Sequence, residues 1–411
     1  MIKAWALRIL VAVGVLATTV ALLLAMALHA LRPAEGEWAQ RVRVGPLSTE
    51  VSVPALWRVA THPIVLGLAA DRTWATPVGP VRWQASPKAG QWFAVCAPCA
   101  LRRPEWGDEP LTVSRVEFTL EHGIDGQVRG GVVIGDAPNA VIGRWTFAMH
   151  RADAELAFTF TDVPLSDAYG VLAAVVPETA RAEIEGRLDL RGALRLPSRA
   201  MTVTPKVTGF RVSGLGTERL ADAELACGAA PAAGFGRWLP RAVIAAEDQR
   251  FHEHTGFDAT EMAAAWSTNQ ARGGVVRGGS TLSQQLAKLV YTGDGRSPVR
   301  KLRELLYAVE LDRTLGKARV LNLYLALAPW GEGRCGATAA ARHYLHKEPS
   351  RLTPIEAAWL ASLLHNPDRE RARLAAEGRV NVARVDWVMD QMRPAPRGKA
   401  RVPADGWLPP S

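Results

Sequence analysis

The chain is short of cysteine, of long apolar runs and of acid. Its four cysteines include one Cys-x-x-Cys, Cys96-Ala97-Pro98-Cys99. No second His or Cys pair stands at ligand spacing from it, which excludes a zinc framework. The helix–strand context of a thioredoxin-like redox motif is also missing, so Cys96 and Cys99 read as a local disulfide or two buried thiols. Cys227 and Cys335 stand alone. Forty acids face 49 lysines and arginines, a formal charge of +9. Such a surplus suits nucleic acid, anionic lipid or a phosphate-bearing substrate and does not choose among them. An apolar fraction of 48% excludes global disorder, and 411 residues favour two or three folding units.

One apolar run is long enough to matter. Ile9 to Leu28 carries no charge and follows Lys3 and Arg8; about 20 helical residues span roughly 30 Å, the hydrocarbon thickness of a bilayer. Ala25-Met26-Ala27 offers a cleavage site, but the run is long for a signal peptide, so the expectation is an uncleaved single-pass anchor over residues 1–32. Lys3 and Arg8 then stay cytoplasmic and the rest of the chain lies outside.

Residues 36–225 read as an antiparallel β-rich domain. Alternation runs through Leu111–Leu120, Gln127–Ile134, Val141–Met149, Ala154–Thr161 and Ala182–Leu196; in the last, Ile184, Leu188, Leu190, Leu194 and Leu196 oppose charged residues. Pro164 to Val176 suits a short helix. A Gly/Ala/Pro-rich linker follows at 226–236. From there the apolar period becomes helical, predicting an all-α domain over 237–395 and a tail at 396–411. Helices are expected near Leu239–His252, Asp258–Arg272, Ser280–Tyr291, Pro298–Thr314, Lys317–Leu327, Gly336–Leu345, Pro354–Leu364 and Arg379–Met392. Ser297-Pro298 signs one start and the capping box Thr353-Pro354-Ile355-Glu356 another.

Three segments of the helical region carry chemistry. If Ala245–Gly256 is helical, Glu247, Phe251 and His254 share one face, and a carboxyl beside an aromatic tends to a raised pKa, useful in a proton acceptor. In Arg277–Lys288, Thr281, Gln285 and Lys288 fall at helical spacing behind Gly278 and Gly279; glycines entering a helix N-terminus suit phosphate, and Lys288 adds a point charge. In Arg300-Lys301-Leu302-Arg303-Glu304, Arg300 and Glu304 are one turn apart: either an ordinary ion pair worth about 0.3–0.5 kcal/mol or a second carboxylate beside a cationic cluster. Glu247 and Glu304 would be the paired carboxylates of glycosyl transfer.

Together these segments resemble the glycosyltransferase family 51 domain of monofunctional transglycosylases and of the front of bifunctional penicillin-binding proteins. Glu247–Gly256 matches Glu-Asp-x-x-Phe-x-x-His-x-Gly, Gly278–Lys288 matches Gly-Gly-Ser-Thr-x-x-Gln-Gln-x-x-Lys, and Arg300–Glu304 matches Arg-Lys-x-x-Glu; Lys317–Gly331 and Gly336–Leu364 follow as a fourth and fifth motif. The resemblance covers roughly a third of the chain, Trp238 to Pro367, and leaves the β region untouched. It implies a lysozyme-like fold and a bacterial inner-membrane enzyme, its bulk in the periplasm. Such an enzyme polymerises lipid II into a growing glycan strand in cell wall biogenesis, with inversion and release of undecaprenyl pyrophosphate. Catalysis falls to Glu247, the base toward the acceptor hydroxyl, and to Glu304. Lys288, Arg300 and Lys301 would neutralise the leaving pyrophosphate. Glu304 would orient those cations, directly or through a divalent cation; no cofactor is required and no metal site is assigned. Asp248, Phe251, His254, Gly278, Gly279, Ser280, Thr281, Gln284 and Gln285 would shape the substrate cleft, with Ala271–Gly279 a flap over the donor. Further partners would be other cell-wall synthesis proteins, not nucleic acid. Leu289, Asn322 and Ala326 depart from the family pattern near the cleft floor, and no room follows for a transpeptidase module. Two rivals stand beside this reading: a degenerate envelope scaffold, and a lytic muramidase.

Overall fold

A computed structural model describes residues 31–44, 47–102, 110–123, 127–221, 227, 234–272 (save the side chains at 266, 270 and 271), 278–294, 297–395, 402 and 407–409, with isolated positions in the first thirty. The expected span Ile9–Leu28 lies largely outside the described residues. Among them, no helix is long and apolar enough to cross a membrane.

The fold is α+β, a sheet-rich region followed by a helical one. Its first part opens with the hairpin β1 (Ala39–Val44) and β2 (Leu47–Ser52), then two short helices the alternation did not announce, α1 (Val53–Ala60) and α2 (Pro63–Leu68). Their signals are local: Ser52 caps α1, its Oγ accepting from Ala55 N at 3.1 Å, with a proline in the first turn. Next come β3 (Thr73–Thr76), β4 (Gly79–Ala85), β5 (Gln91–Cys96), β6 (Cys99–Leu101), β7 (Leu111–Val113), β8 (Val116–His122), β9 (Val128–Ile134), β10 (Val141–Met149), β11 (Ala154–Pro164), helix α3 (Leu165–Gly170), β12 (Glu183–Leu196) and β13 (Met201–Ser213). Nine of these form one antiparallel sheet in the order β13-β12-β11-β10-β9-β8-β5-β4-β3. The single strand expected over Leu111–Leu120 is two, because β7 pairs with β6 in a separate ribbon. Cys96 and Cys99 join β5 to β6 as a disulfide.

Two irregularities turn the sheet toward the helices. The register slips between Phe160 and Val163 in β11 and between Glu185 and Arg187 in β12, where the partner β13 holds an extra residue. An extra residue reverses side-chain parity. Val203 and Val207 before the slip lie on odd positions, Phe210 and Val212 after it on even ones. Phe210 thereby meets Tyr169 of α3 and Phe257, with ring centroids 6.3 and 5.5 Å apart, and Val212 joins the core of the helical domain.

That domain contains α4 (Leu239–Glu247), α5 (Ala259–Arg272), α6 (Leu282–Ala287), α7 (Pro298–Leu327), α8 (Ala337–Leu345), α9 (Pro354–Ser362), α10 (Pro367–Glu377) and α11 (Val382–Gln391). Helix α7 breaks at Gly316 (φ 72°, ψ 163°), so the two helices expected there are both present. The capping box at Thr353 forms, whereas Ser297 makes no capping bond and its buried hydroxyl has no partner. Most of the expected linker lies outside the described residues, but Cys227 within it does not stand alone: it is bonded to Cys335. The β region grips α7 directly. Glu310, 1% exposed, accepts from Leu215 N at 2.8 Å and Thr217 N at 3.3 Å; Arg303 pairs with buried Glu178 at 2.8 Å; Tyr169 Oη donates to Leu302 O at 3.2 Å. Each bond satisfies a group that burial would otherwise leave costly.

Candidate active site

A cleft of about 700 Å³ opens between the end of α4, the loop entering α6, and α11. Glu247 stands at its wall because α4 stops there: Asp248 leaves the helix (φ −157°, ψ 74°). The expected helix through His252 is thus five residues too long, and Glu247, Phe251 and His254 do not share a face. Glu247 faces the cleft. Phe251 is fully buried, and His254 turns inward to Asp248, Nε2 to Oδ1 at 3.0 Å. Gly256 (φ +91°) lies so close to α7 that a Cβ would meet Ala308 O at 2.5 Å, which is why glycine ends this motif.

Glu247 Oε2 accepts from Gln285 Nε2 at 3.0 Å, and Tyr324 Oη donates to Gln285 Oε1 at 2.8 Å. The amide is therefore oriented from behind and presents its N–H₂ to the carboxylate. Burial pushes the Glu247 carboxyl up from the ordinary 4.5; the Gln285 bond, Arg384 and His365 oppose that rise and Asp248 adds to it. Burial likewise raises Tyr324 well above its usual range, with Glu247 adding to the effect.

The loop Gly278-Gly279-Ser280-Thr281 lines the opposite wall. Gly279 has no room for a side chain, since a Cβ would stand 2.9 Å from Ala265 Cβ. Thr281 and Gln284 form a capping box at the start of α6, and Leu282 N donates to Asp248 Oδ2 at 2.9 Å. Of the amides in this loop and helix start, those of Thr281, Leu282 and Gln284 are already taken. The cations remain. Lys288 lines the cleft and pairs with Asp294 at 2.8 Å, while Arg300 Nη1 donates to Asp294 O at 2.7 Å. Lys301 Nζ reaches Ser280 Oγ at 2.6 Å and Glu304 Oε2 at 3.0 Å. Glu304 pairs with Lys301, then, rather than with Arg300; it is buried and does not line the cleft. Gln284 is buried too. Residues 273–277 of the expected flap lie outside the described residues.

Several lining residues carried no signal in the sequence: Tyr324, His365, Arg384 and Trp387. Tyr324 sits within the fourth motif, but its bond to Gln285 joins different helices 39 residues apart in sequence, which no helical spacing relates. Arg384 donates to Ala246 O at 3.0 Å and stacks on Trp387. Of the three departures, Leu289 borders the cleft, whereas Asn322 is exposed and Ala326 is buried, neither lining it. Among the described residues no group of three or more His, Cys, Asp or Glu side chains is placed to hold a metal ion.

Residues 227–393 match the family described as Transglycosylase. The match takes in the helical part of the chain and the cleft. The chain is similar to the biosynthetic peptidoglycan transglycosylases of Klebsiella oxytoca and Salmonella typhimurium (strain LT2), each 46% identical over 156 residues, 38% of this chain and 64% of the relative. The enzyme of that name from Nitrosomonas eutropha is 43% identical over 152 residues, 36% of this chain and 62% of its own length. The chain therefore spans less than two thirds of these relatives, and the sheet region lies outside the match. Every residue of the cleft described above lies within the matched residues 227–393.

Proposed function

We propose that the chain is a peptidoglycan glycosyltransferase that polymerises lipid II at the outer face of the bacterial inner membrane, anchored by Ile9–Leu28. The observation that carries this reading is the Glu247 carboxylate, facing a cleft, gripped by Gln285 and lifted by burial toward the range of a working base. Glu247 draws the proton from the acceptor's 4-hydroxyl as that oxygen attacks the donor's anomeric carbon. The bond to the pyrophosphate oxygen breaks on the opposite face, so the configuration inverts. The leaving group departs as an anion and needs charge rather than a proton; Lys288, which lines the cleft, supplies it, and Arg300 holds Asp294, the partner of Lys288, by its carbonyl. Lys301, held by Glu304 behind Ser280, stiffens that wall, which makes Glu304 a positioning group. The fourth-motif departures that favour a degenerate scaffold, Asn322 and Ala326, do not line the cleft, which supports the catalytic reading, while Leu289 does line it.

The test is to incubate the full chain in detergent with labelled lipid II. Polymer from wild type and none from Glu247→Gln supports the reading. Binding without polymer from either protein, or digestion of finished glycan, would overturn it in favour of a scaffold or a muramidase.

Arg384 gives a separate check. Its guanidinium favours the charged carboxylate, so Arg384→Met raises the Glu247 pKa further. The acid limb of kcat/KM should move to higher pH, with little change on the plateau above it. A limb that stays in place or moves down would show that Arg384 does not act on the base.

A further inference from the structure

Outside the cleft, α1 and α2 form the surface with least explanation. A surface helix ordinarily turns polar residues to water, but α2 has no charged residue and buries only Leu66. Ile64 is 68% exposed and Leu68 71%, and Val65, Leu56 and Val59 are exposed beside them. The patch is firmly held. Trp57 of α1 packs on Phe147 of the sheet with centroids 4.3 Å apart, and Trp83 Nε1 donates to Leu66 O at 3.1 Å. Its rim carries Arg58, Arg72 and Arg82, all exposed, against exposed Asp71 and the half-buried Glu37 beside Ser52 and Arg58. Its position is fixed at the start of the chain's soluble part: Ser52 N, at the entry to α1, donates to Leu31 O at 2.8 Å. Leu31 is three residues beyond the apolar run that ends at Leu28.

We infer that α1 and α2 form an interfacial foot that dips into the bilayer beside the anchor, with the arginines on anionic headgroups. An apolar face seated in the boundary region with basic residues around it is the usual chemistry of such contacts. The foot fixes the sheet against the membrane, and through the grip on α7 it fixes the cleft near the surface where a lipid-linked sugar resides. The inference rests on the proposed membrane span for the place where chain and bilayer meet.

The test uses the full chain in vesicles of phosphatidylethanolamine and phosphatidylglycerol. The described cysteines are all paired, so Ile64→Cys and Leu68→Cys accept an environment-sensitive fluorophore without reductant; Thr204→Cys, on an exposed strand position, is the control. At positions 64 and 68 the emission should shift to the blue and be quenched about threefold more strongly by spin-labelled acyl chains than at 204, as expected for a depth of about 5–10 Å. Equal quenching at all three sites overturns the inference. So does a shift that grows with protein concentration and ignores the lipid quencher, which would mean a second copy covers the patch. An alkaline wash separates the two membrane readings. A chain quenched before the wash yet released by it keeps the foot and loses the span; one retained but never quenched keeps the span and loses the foot.

Discussion

Glu247→Gln is expected to lower the rate of lipid II polymerisation by about 10²–10⁴, the usual worth of a positioned general base, while the folded protein becomes more stable at neutral pH. Both effects have one cause. Burial raises the carboxyl's pKa above 4.5, so the ionised form that catalysis needs is the form the fold disfavours. The sign follows from proton binding. With a folded pKa above the unfolded one, the favourable contribution is fully present below the unfolded value and is lost as pH rises through the folded value. At pH 7–8 the wild type carries that loss and the glutamine variant does not. The introduced amide retains an oxygen to accept from Gln285, so the wall should keep its shape. Melting temperatures compared at pH 8 and near pH 4 decide the matter: the variant's advantage should be present at the first and absent at the second. A variant less stable than wild type at pH 8, or one that polymerises at the wild-type rate, removes Glu247 from its role.

Much of the scaffold was legible because its signals are local. Alternation marks β10 with both of its ends correct, and Thr353 with Glu356 marks α9. The errors have physical reasons as well. Periodicity extended α4 through Phe251 because Phe251 and His254 fall at helical spacing, but their burial is tertiary: Phe251 lies beneath the Lys317 ammonium, 4.5 Å from its ring. Spacing paired Arg300 with Glu304, whereas Arg300 swings out to the carbonyl of Asp294 and leaves the carboxylate to Lys301. Arg384 could not be found in one dimension at all. It reaches the cleft from α11, far along the chain from Glu247, on a helix whose sequence reads only as amphipathic. The β slips were visible, in retrospect, as the change of apolar parity between Val207 and Phe210, yet what they aim at is known only from the packing of Phe210 on Phe257.

The residue next to the base shows how the site is held. Asp248, with 5% of its side chain exposed, receives Leu282 N and faces His254 Nε2 through both oxygens, at 3.0 and 3.1 Å. His254 Nδ1 lies 3.3 Å from Lys317 Nζ, Lys317 pairs with Asp312, and Asp312 accepts from Ser283 Oγ at 2.6 Å. One carboxylate thus ties the end of α4, the start of α6 and the second half of α7 into a single buried network. Asp248→Ala leaves His254 and the Leu282 amide without their acceptor, and losing two buried hydrogen bonds to a carboxylate costs about 3–5 kcal/mol. Asp248→Asn keeps one accepting oxygen for the two tasks and should cost about 1–3 kcal/mol. Urea unfolding followed by tryptophan fluorescence should therefore order the midpoints as wild type, Asn, Ala. Activity should fall with them, because Glu247 is placed by the chain that Asp248 anchors. If Asp248→Ala unfolds at the wild-type midpoint, the network does not hold the wall, and the placement of Glu247 must come from Gln285 and α4 alone.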